Sequence, residues 1–399
     1  MPHQVNVLFL TDYFPRPSNP AMGTWALDQA VGLRDAGMNV RVVSYISWFP
    51  KFLTKLTGKG ESYSECPAEY EIKNLKVIAP RWYYQPLYRM RVLLQPLIKF
   101  EYPLLWKLSG QALLDEIDRF QPDVIYAHHT VPNGYFAFRA SQARGIPFVV
   151  ADFDFNTING CRKLAKKRAL FSEIKNAALL NVAAAQQMAD DIAEIFPNCQ
   201  VEAIHHGLAL STLPETLPEK PDAVLFSACI FYHRKGLADL IAAFEKVAAT
   251  HSSVTLRLAG DGPEREQIEE LVRNSSYQDR ITLLGKLSRE DVYQEMKGAT
   301  AFVLLGWNEP FATVYLEAMA HGLPIIACDD GGINDVVTSG ENGFFVPPRS
   351  PEQAAEAIQR PLDEPELRLK MSETNQELIR EKLNLDVFAQ RLQHVFSAE

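Results

Sequence analysis

The sequence predicts an α/β protein of two Rossmann-like domains that face each other across a cleft. Short runs rich in β-branched residues alternate with longer amphipathic stretches, which is typical of parallel sheets with helices on both faces. The proline-rich segment 210–222 interrupts this alternation once, and the length of 399 residues suits two domains. We therefore expect domains at 1–209 and 210–380, with a C-terminal helix at 381–399 that packs back across the junction.

Each half of the chain contains its own series of elements. The strands predicted in the first half are Val5–Leu10, Val40–Ser44, Val124–Ala127, Phe148–Ala151, Leu179–Ala183 and Val201–Ile204. The helices predicted there are Trp25–Ala36, Tyr135–Arg144 and Ala185–Phe196. The strands predicted in the second half are Val224–Ala228, Thr255–Ala259, Ile281–Leu284, Ala301–Leu305, Pro324–Ala327 and Gly343–Val346. Open α/β sheets bind ligands outside the carboxyl ends of their strands, so we expect functional residues there.

Composition excludes several classes of protein. The chain has 40 Lys and Arg against 49 Asp and Glu, a net charge of −9, which argues against a nucleic-acid protein that relies on overall positive charge. The five cysteines are scattered singly, so neither a zinc knuckle nor a disulfide framework is indicated. The N-terminus lacks a signal-peptide pattern, and no apolar run is long enough to span a membrane. A cytoplasmic protein is predicted.

The most informative segment is 309–324, EPFATVYLEAMAHGLP, which follows a predicted strand. Glu309 stands at the mouth of a helix, and Glu317 lies about two turns along it. This spacing suits a nucleotide diphosphate, with phosphate at the helix dipole and carboxylates near sugar hydroxyls. Read alone, the two glutamates could equally be a dipole-favouring acid and an exposed side chain. The backbone N–H groups available to an anion at the start of the helix would be those of Phe311, Ala312 and Thr313.

Three further loops follow strands of the second half. The loop 233–236, His-Arg-Lys-Gly, carries Arg234 and Lys235, which could neutralise a pyrophosphate leaving group or simply form a solvated basic turn. The turn formed by Gly260, Asp261 and Gly262 would let a base or ribose approach the backbone closely. The turn 330–332, Asp-Gly-Gly, is similarly permissive.

The first half offers fewer candidate residues. Gly23 allows a close backbone approach at the N-terminus of a predicted helix. His128 and His129 end a predicted strand, where a structural role competes with a metal or substrate role. No third ligand has suitable spacing, so we predict no metal site. The 152–154 segment, Asp-Phe-Asp, is similar to a short metal-binding motif of a different architecture, but two Rossmann-like halves fit that architecture poorly.

Taken together, these motifs resemble those of retaining glycosyltransferases of the GT-B fold, family 4, which transfer sugars from nucleotide diphosphates. The resemblance is strongest over 224–348, where Lys235-Gly236, Leu258–Pro263, Glu309–Pro324 and Gly340–Pro347 occur in the family's order. It continues more weakly through Gly23, Pro122–His128 and His206-Gly207 in the first half. The broad pattern is similar to bacterial exopolysaccharide and cell-wall polymer transferases.

The resemblance implies a role for each matching residue. Glu309 would contact donor-sugar hydroxyls, Glu317 the ribose, and Lys235 with Arg234 the diphosphate. His128 would belong to the catalytic set, and Gly23 would lie beside the phosphate or acceptor. The remaining substrate-binding residues implied are Asp152, Gly260, Asp261, Gly262, Phe311, Ala312 and Thr313.

The same resemblance implies the partners and leaves alternatives open. Partners would be a UDP- or GDP-sugar and a glycan or lipid-linked acceptor, with no cofactor. Three positions depart from the family's pattern. Ala312 stands where the family commonly has glycine, and Ile230 or Cys229 stands where it usually has arginine. Asp152-Phe153 stands in place of its first-domain His-Gly pair. An inactive nucleotide-sugar-binding subunit or a sugar-nucleotide epimerase on the same scaffold are therefore the alternatives.

Two basic stretches allow a peripheral contact with anionic membrane. They are the aromatic-rich block 81–108 and the cluster Arg162, Lys163, Lys166, Lys167 and Arg168 on one predicted helix. The competing interpretation is a pair of core helices and a solvated basic face.

Overall fold

The computed structural model describes residues 4–48, 61–83, 98–214 and 223–397. The chain forms two compact units. The first unit comprises Met1–His206 and Leu385–Glu399, and the second comprises Gly207–Asn384.

The first unit contains an eight-stranded sheet and a separate pair of short strands. The strands are β1 Asn6–Thr11, β2 Asn39–Ser44, β3 Ile46–Ser47, β4 Glu69–Ile72, β5 Leu75–Ile78, β6 Arg81–Trp82, β7 Val124–His128, β8 Phe148–Asp152, β9 Leu180–Ala183 and β10 Val201–Ala203. Their order in the large sheet is β10-β9-β8-β7-β1-β2-β5-β4, and every pair is parallel except β4 with β5. The helices are α1 Thr24–Asp35, α2 Glu61–Ser64, α3 Ile98–Ser109, α4 Gln111–Phe120, α5 Tyr135–Arg144, α6 Phe155–Lys163, α7 Ala165–Ala177 and α8 Gln186–Ile195.

The second unit contains a six-stranded parallel sheet. The strands are β11 Val224–Ala228, β12 Thr255–Ala259, β13 Ile281–Gly285, β14 Ala301–Leu304, β15 Ile325–Cys328 and β16 Gly343–Val346, in the order β13-β12-β11-β14-β15-β16. The helices are α9 Leu237–Thr250, α10 Arg265–Asn274, α11 Arg289–Gly298, α12 Thr313–Ala320, α13 Pro351–Asp363 and α14 Pro365–Glu381. The last helix of the chain, α15 Leu385–Phe396, belongs to the first unit.

The central strands are mostly apolar because both faces of each sheet are covered. Successive strand residues point to opposite faces. In β1, Phe9 packs in a cluster with Phe388 of α15, whereas Leu8 packs in a cluster with Phe136 of α5. Burial of such side chains contributes about 1.5–3 kcal/mol each to folding. This two-sided burial explains why the strands lack polar alternation in the sequence.

Both sheets change direction of strand addition at one place. In the first unit this switch point lies between β1 and β7, and in the second it lies between β11 and β14. Doubly wound sheets bind ligands at such points, outside the carboxyl ends of the two strands. The predicted architecture of two Rossmann-like units is therefore confirmed, and it directs attention to the loops after these four strands.

Several local features differ from the prediction. Strands β3, β4, β5 and β6 were not expected, and the basic cluster 162–168 is divided between α6 and α7, which are separated at Leu164. Arg162 forms ion pairs with Asp191 and Glu194, so part of that cluster is neutralised. Residues 84–97 of the block 81–108 lie outside the described residues. Among the helices that the structure describes, none is long and apolar enough to cross a bilayer.

Candidate functional site

The switch point of the second unit brings two predicted site loops together. The loop after β11 carries Arg234 and Lys235, and the loop after β14 carries Glu309. The N–H of Trp307 donates a hydrogen bond of 3.0 Å to the Arg234 carbonyl, which joins the two loops through their main chains. The predicted cations and the predicted acid therefore belong to one site.

Two cations converge on one carboxylate oxygen in this site. Arg234 Nη1 lies 2.8 Å from Glu309 Oε2, and Lys235 Nζ donates a hydrogen bond to the same oxygen. Lys235 is 8% exposed and Glu309 7%, so their charges interact in a partly dehydrated environment where attraction is stronger than in water. With two positive charges against one negative, these three side chains carry a surplus that suits a further anion.

The backbone of Glu309 is fixed by the turn 330–332. The N–H of Gly332 donates a hydrogen bond of 2.9 Å to the Glu309 carbonyl, and the N–H of Asn308 donates one of 3.3 Å to Asp330 Oδ2. A Cβ atom at Gly331 would lie 2.4 Å from that carbonyl oxygen, so only glycine fits there. The predicted permissive turn thus holds the acid loop in place.

Helix α12 begins directly after the Glu309 loop. Ala312 is its N-cap, with φ −78° and ψ 119°, and no side chain caps the first turn. These angles are open to any residue, so the backbone itself does not require glycine at 312. Phe311 is buried beside the start of the helix, and Thr313 is its first residue. The N-terminus of α12 carries the positive end of the helix dipole, which favours an anion.

Glu317 lies on α12 and is held by α11. Arg289 Nε donates a hydrogen bond of 2.9 Å to Glu317 Oε1, and Tyr293 Oη donates one of 3.2 Å to the same oxygen. The Glu317 side chain is 13% exposed. Neither Arg289 nor Tyr293 was among the predicted site residues.

A pocket of about 630 Å³ opens beside the carboxyl ends of β11 and β12. All three residues of the predicted turn, Gly260, Asp261 and Gly262, line it. A Cβ atom at Gly260 would lie 1.9 Å from the Cys229 carbonyl oxygen, which explains the need for glycine at that position. Burial raises the pKa of Cys229 to about 12, so this residue lines the pocket as a neutral thiol. The remaining lining residues are Ala228, Ile230, Ala259, Lys286, Leu287 and Val292.

Gly236 allows the loop after β11 to approach the end of β14 closely. Its φ is +65°, and an added Cβ atom would lie 2.1 Å from the Leu305 carbonyl oxygen. We expect Gly236→Ala to destabilise the second unit by about 2 kcal/mol or more, because a left-handed alanine is strained and the clash adds to that strain. Urea unfolding measures the change. Gly340→Ala is the matched control, since its φ is +87° with nothing within 4 Å of an added Cβ; equal losses for the two variants would contradict the steric argument.

The switch point of the first unit contains a buried polar chain. Gln29 Oε1 lies 3.0 Å from His128 Nε2, and Gln29 Nε2 lies 2.7 Å from His206 Nδ1. Burial lowers the pKa of His206 to about 3 and that of His128 well below its ordinary value, so both rings are neutral at pH 7. His128 stacks on Trp25 with ring centroids 4.9 Å apart. The predicted His128 is therefore a fully enclosed imidazole whose orientation is fixed.

Asp152 forms a buried ion pair rather than an open binding group. Its side chain and that of Lys175 are both 0% exposed, with Lys175 Nζ 2.7 Å from Asp152 Oδ2. The N–H and Oγ1 of Thr130 donate hydrogen bonds of 2.8 and 2.7 Å to the same carboxylate. Burial alone would raise the pKa of Asp152, but the charge and hydrogen bond of Lys175, with the Thr130 hydroxyl, hold it below its ordinary value. Lys175 was not predicted.

Gly23 lies at the N-cap of α1, close to the end of β1. Its φ is +67°, and an added Cβ would lie 2.5 Å from the Tyr13 carbonyl carbon and oxygen. The loop after β1 also contains Asp12, whose carboxylate accepts a hydrogen bond of 2.8 Å from Asn133. Within the ranges that the structure describes, no group of three or more His, Cys, Asp or Glu could hold a metal ion.

Two family descriptions match the chain in succession. "Glycosyltransferase Family 4" matches residues 22–212, and "Glycosyl transferases group 1" matches residues 213–378. The first match covers Gly23, His128 and Asp152, and the second covers Arg234, Lys235, Glu309 and Glu317.

Curated relatives show the same likeness. The chain is 31% identical over 162 residues to the alpha-D-kanosaminyltransferase of Streptomyces kanamyceticus, a match that covers 41% of this chain and 42% of that protein. It is 27% identical over 255 residues to the glycogen synthase of Mycobacterium tuberculosis, covering 62% of this chain and 61% of that protein. The chain thus spans less than two thirds of the length of these relatives.

A solved structure matches over the full length. The crystal structure of Anabaena HepE in complex with UDP-glucose has a TM-score of 0.71 to this chain at 18% identity, covering 99% of this chain and 100% of that one. At this identity the likeness concerns the fold.

Proposed function

Because the chain belongs to family 4 of the GT-B glycosyltransferases, we propose that it transfers a hexosyl unit from a UDP- or GDP-sugar to a hydroxyl group. The acceptor would be a glycan or a lipid-linked glycan. The transfer would retain the configuration of the anomeric carbon and would need no metal ion. A cytoplasmic location at the inner face of the membrane is part of the proposal, since a lipid-linked acceptor would be reached there.

One observation carries this proposal: Arg234, Lys235 and Glu309 meet at the switch point where α12 begins. When the bond between the sugar and the diphosphate breaks, negative charge develops on the departing phosphate oxygen. Fixed cations and helix N–H groups stabilise that charge without having to reorganise. The two cations would therefore perform the electrostatic work that a divalent ion performs in metal-dependent enzymes.

Glu309 has a second task in this scheme. Its ion pairs orient the Arg234 and Lys235 side chains, and its carboxylate would accept hydrogen bonds from the donor-sugar hydroxyls. Glu317 would bind the ribose hydroxyls. The pocket lined by Gly260, Asp261 and Gly262 would receive the base, since glycine backbones allow a flat ring to approach closely.

The first unit would supply the acceptor side. His128 would orient this side through its bond to Gln29 rather than contact substrate, because its ring is fully enclosed, and Gly23 would lie near the phosphate or acceptor. We leave Asp152 out of the set that contacts substrate, because its carboxylate is fully buried and bound to Lys175 and Thr130. Its proposed role is to hold the loop that follows His128 and His129.

The proposal is tested first by binding and then by turnover. Thermal shift with UDP, GDP and ADP should raise the melting temperature for one nucleotide, because a ligand that binds only the native state stabilises it. The corresponding sugar nucleotides, incubated with glycan acceptors, should then yield a glycoside in the presence of EDTA, with anomeric NMR couplings matching those of the donor. Binding without turnover would favour the inactive-subunit alternative, and conversion of donor without acceptor would favour an epimerase.

A further inference from the structure

Helix α11 carries two side chains that hold Glu317. Arg289 and Tyr293 are four residues apart, so they lie on the same face of the helix. Both donate hydrogen bonds to Glu317 Oε1, over 2.9 and 3.2 Å. The Arg289 guanidinium lies 5.6 Å from the centre of the Tyr293 ring, which places the two donors side by side. The carboxylate is thus held by one charged and one neutral donor.

The same helix also reaches the pocket. Val292, between the two donors in sequence, lines the cavity of about 630 Å³, as do Lys286 and Leu287 just before the helix. The helix start is fixed by Ser288, whose Oγ accepts a hydrogen bond of 3.1 Å from the Asp291 N–H. One rigid element therefore lines the pocket and orients the carboxylate on α12.

The C-terminal end of α12, the helix that carries Glu317, is also anchored by hydrogen bonds. Three carbonyls at the end of α12 and just beyond it, those of Ala320, Gly322 and Leu323, accept hydrogen bonds from Gln376, Ser372 and Asn375 of α14, over 3.0, 2.5 and 2.8 Å respectively. Burial and the neighbouring Glu317 charge raise the pKa of Tyr293, so its hydroxyl remains a donor at neutral pH. Neither helix can turn Glu317 away without breaking several hydrogen bonds.

We propose that Arg289 and Tyr293 are positioning residues for nucleotide selection, which hold the Glu317 carboxylate where it accepts hydrogen bonds from the donor's ribose hydroxyls. This inference rests on the proposed function. According to this inference, Arg289 and Tyr293 together with Glu317, rather than Glu317 alone, make the protein prefer a ribonucleotide over its 2′-deoxy counterpart. A misplaced carboxylate would still be charged, but it would no longer meet the hydroxyl at hydrogen-bonding distance.

The test measures how each variant binds a nucleotide with and without its 2′-hydroxyl group. Calorimetric titration of the full chain with UDP, GDP and ADP identifies the nucleotide that binds, and the 2′-deoxy form of that nucleotide is then titrated. We expect wild type to prefer the ribonucleotide by about 10-fold, the worth of a hydrogen bond to a charged group. Arg289→Met should remove most of that preference, and Tyr293→Phe, which deletes only a hydroxyl, should reduce it by about 3-fold.

Arg257→Met is the matched control. Arg257 forms a two-pronged ion pair with Glu295 of α11, over 2.5 and 2.7 Å, and none of these bonds involves Glu317. It should leave the preference unchanged. The inference is overturned if Arg289→Met and Tyr293→Phe weaken both nucleotides equally and keep the wild-type preference. If wild type binds none of the three nucleotides, the proposed function itself fails, and this inference fails with it.

Discussion

Lys235→Ala is expected to lower the rate of sugar transfer by about 10²- to 10³-fold, with little change in melting temperature. Lys235 is one of two cations on Glu309 Oε2, and its charge would stabilise the departing diphosphate. Arg234 remains to neutralise Glu309, so the fold should tolerate the loss. Initial rates with the donor identified by binding measure the effect. Because the missing charge acts when the bond breaks, the rate constant should fall more than donor affinity.

The control for this variant is Lys246→Ala. Lys246 pairs with Glu352 over 3.1 Å, and both side chains are largely exposed, so its removal should change neither rate nor stability appreciably. Glu309→Ala should match Lys235→Ala in rate, because it removes both the sugar contact and the anchor of the cations. If either Lys235→Ala or Glu309→Ala keeps nearly the wild-type rate of transfer, the transferred sugar is not bound at this switch point.

The strands of the two sheets could largely be predicted from the sequence because two-sided burial leaves a local trace. A run such as 301–304 is apolar throughout, and its length separates it from a helix. Strands β4 to β6 left no such trace. In β4, Glu69 and Glu71 are exposed and only four residues pair, in an antiparallel edge position that needs burial on one side at most. Short edge strands are set by their neighbours in the sheet, which a single segment does not reveal.

The candidate site divides in the same way. Lys235 and Glu309 could be predicted because each lies in the loop that follows a parallel strand, and the carboxyl ends of such strands meet at one edge of a sheet. Arg289 with Glu317, and Lys175 with Asp152, could not be predicted. The residues of the first pair are 28 apart in sequence and those of the second pair are 23 apart. Whether such side chains contact each other depends on how the elements that carry them pack. Asp152 appeared to be a ligand candidate because its burial is invisible in the sequence.

Lys175→Met should destabilise the first unit by about 3–5 kcal/mol at pH 7, because it leaves the Asp152 carboxylate buried without its cation. The pH dependence has a definite sign. In wild type the pKa of Asp152 is lowered, so its stabilising contribution is present above the unfolded pKa and is lost only as the pH falls through the lower folded value. In the variant, burial is no longer opposed by Lys175, and the pKa of Asp152 should rise above its unfolded value. The variant therefore gains stability relative to wild type as the pH falls from 7 toward 4.5.

Urea unfolding at several pH values measures this difference. Four of the five tryptophans, Trp25, Trp48, Trp82 and Trp106, lie in the first unit, and a Trp307→Phe background confines the fluorescence signal to it. Adding Asp152→Asn to Lys175→Met should recover part of the lost stability at pH 7, since the buried charge is then gone. Arg162→Met, which breaks two partly exposed ion pairs, should cost less than about 1 kcal/mol. A small loss for Lys175→Met, or a loss that is independent of pH, would mean that Asp152 is neutral in the native protein.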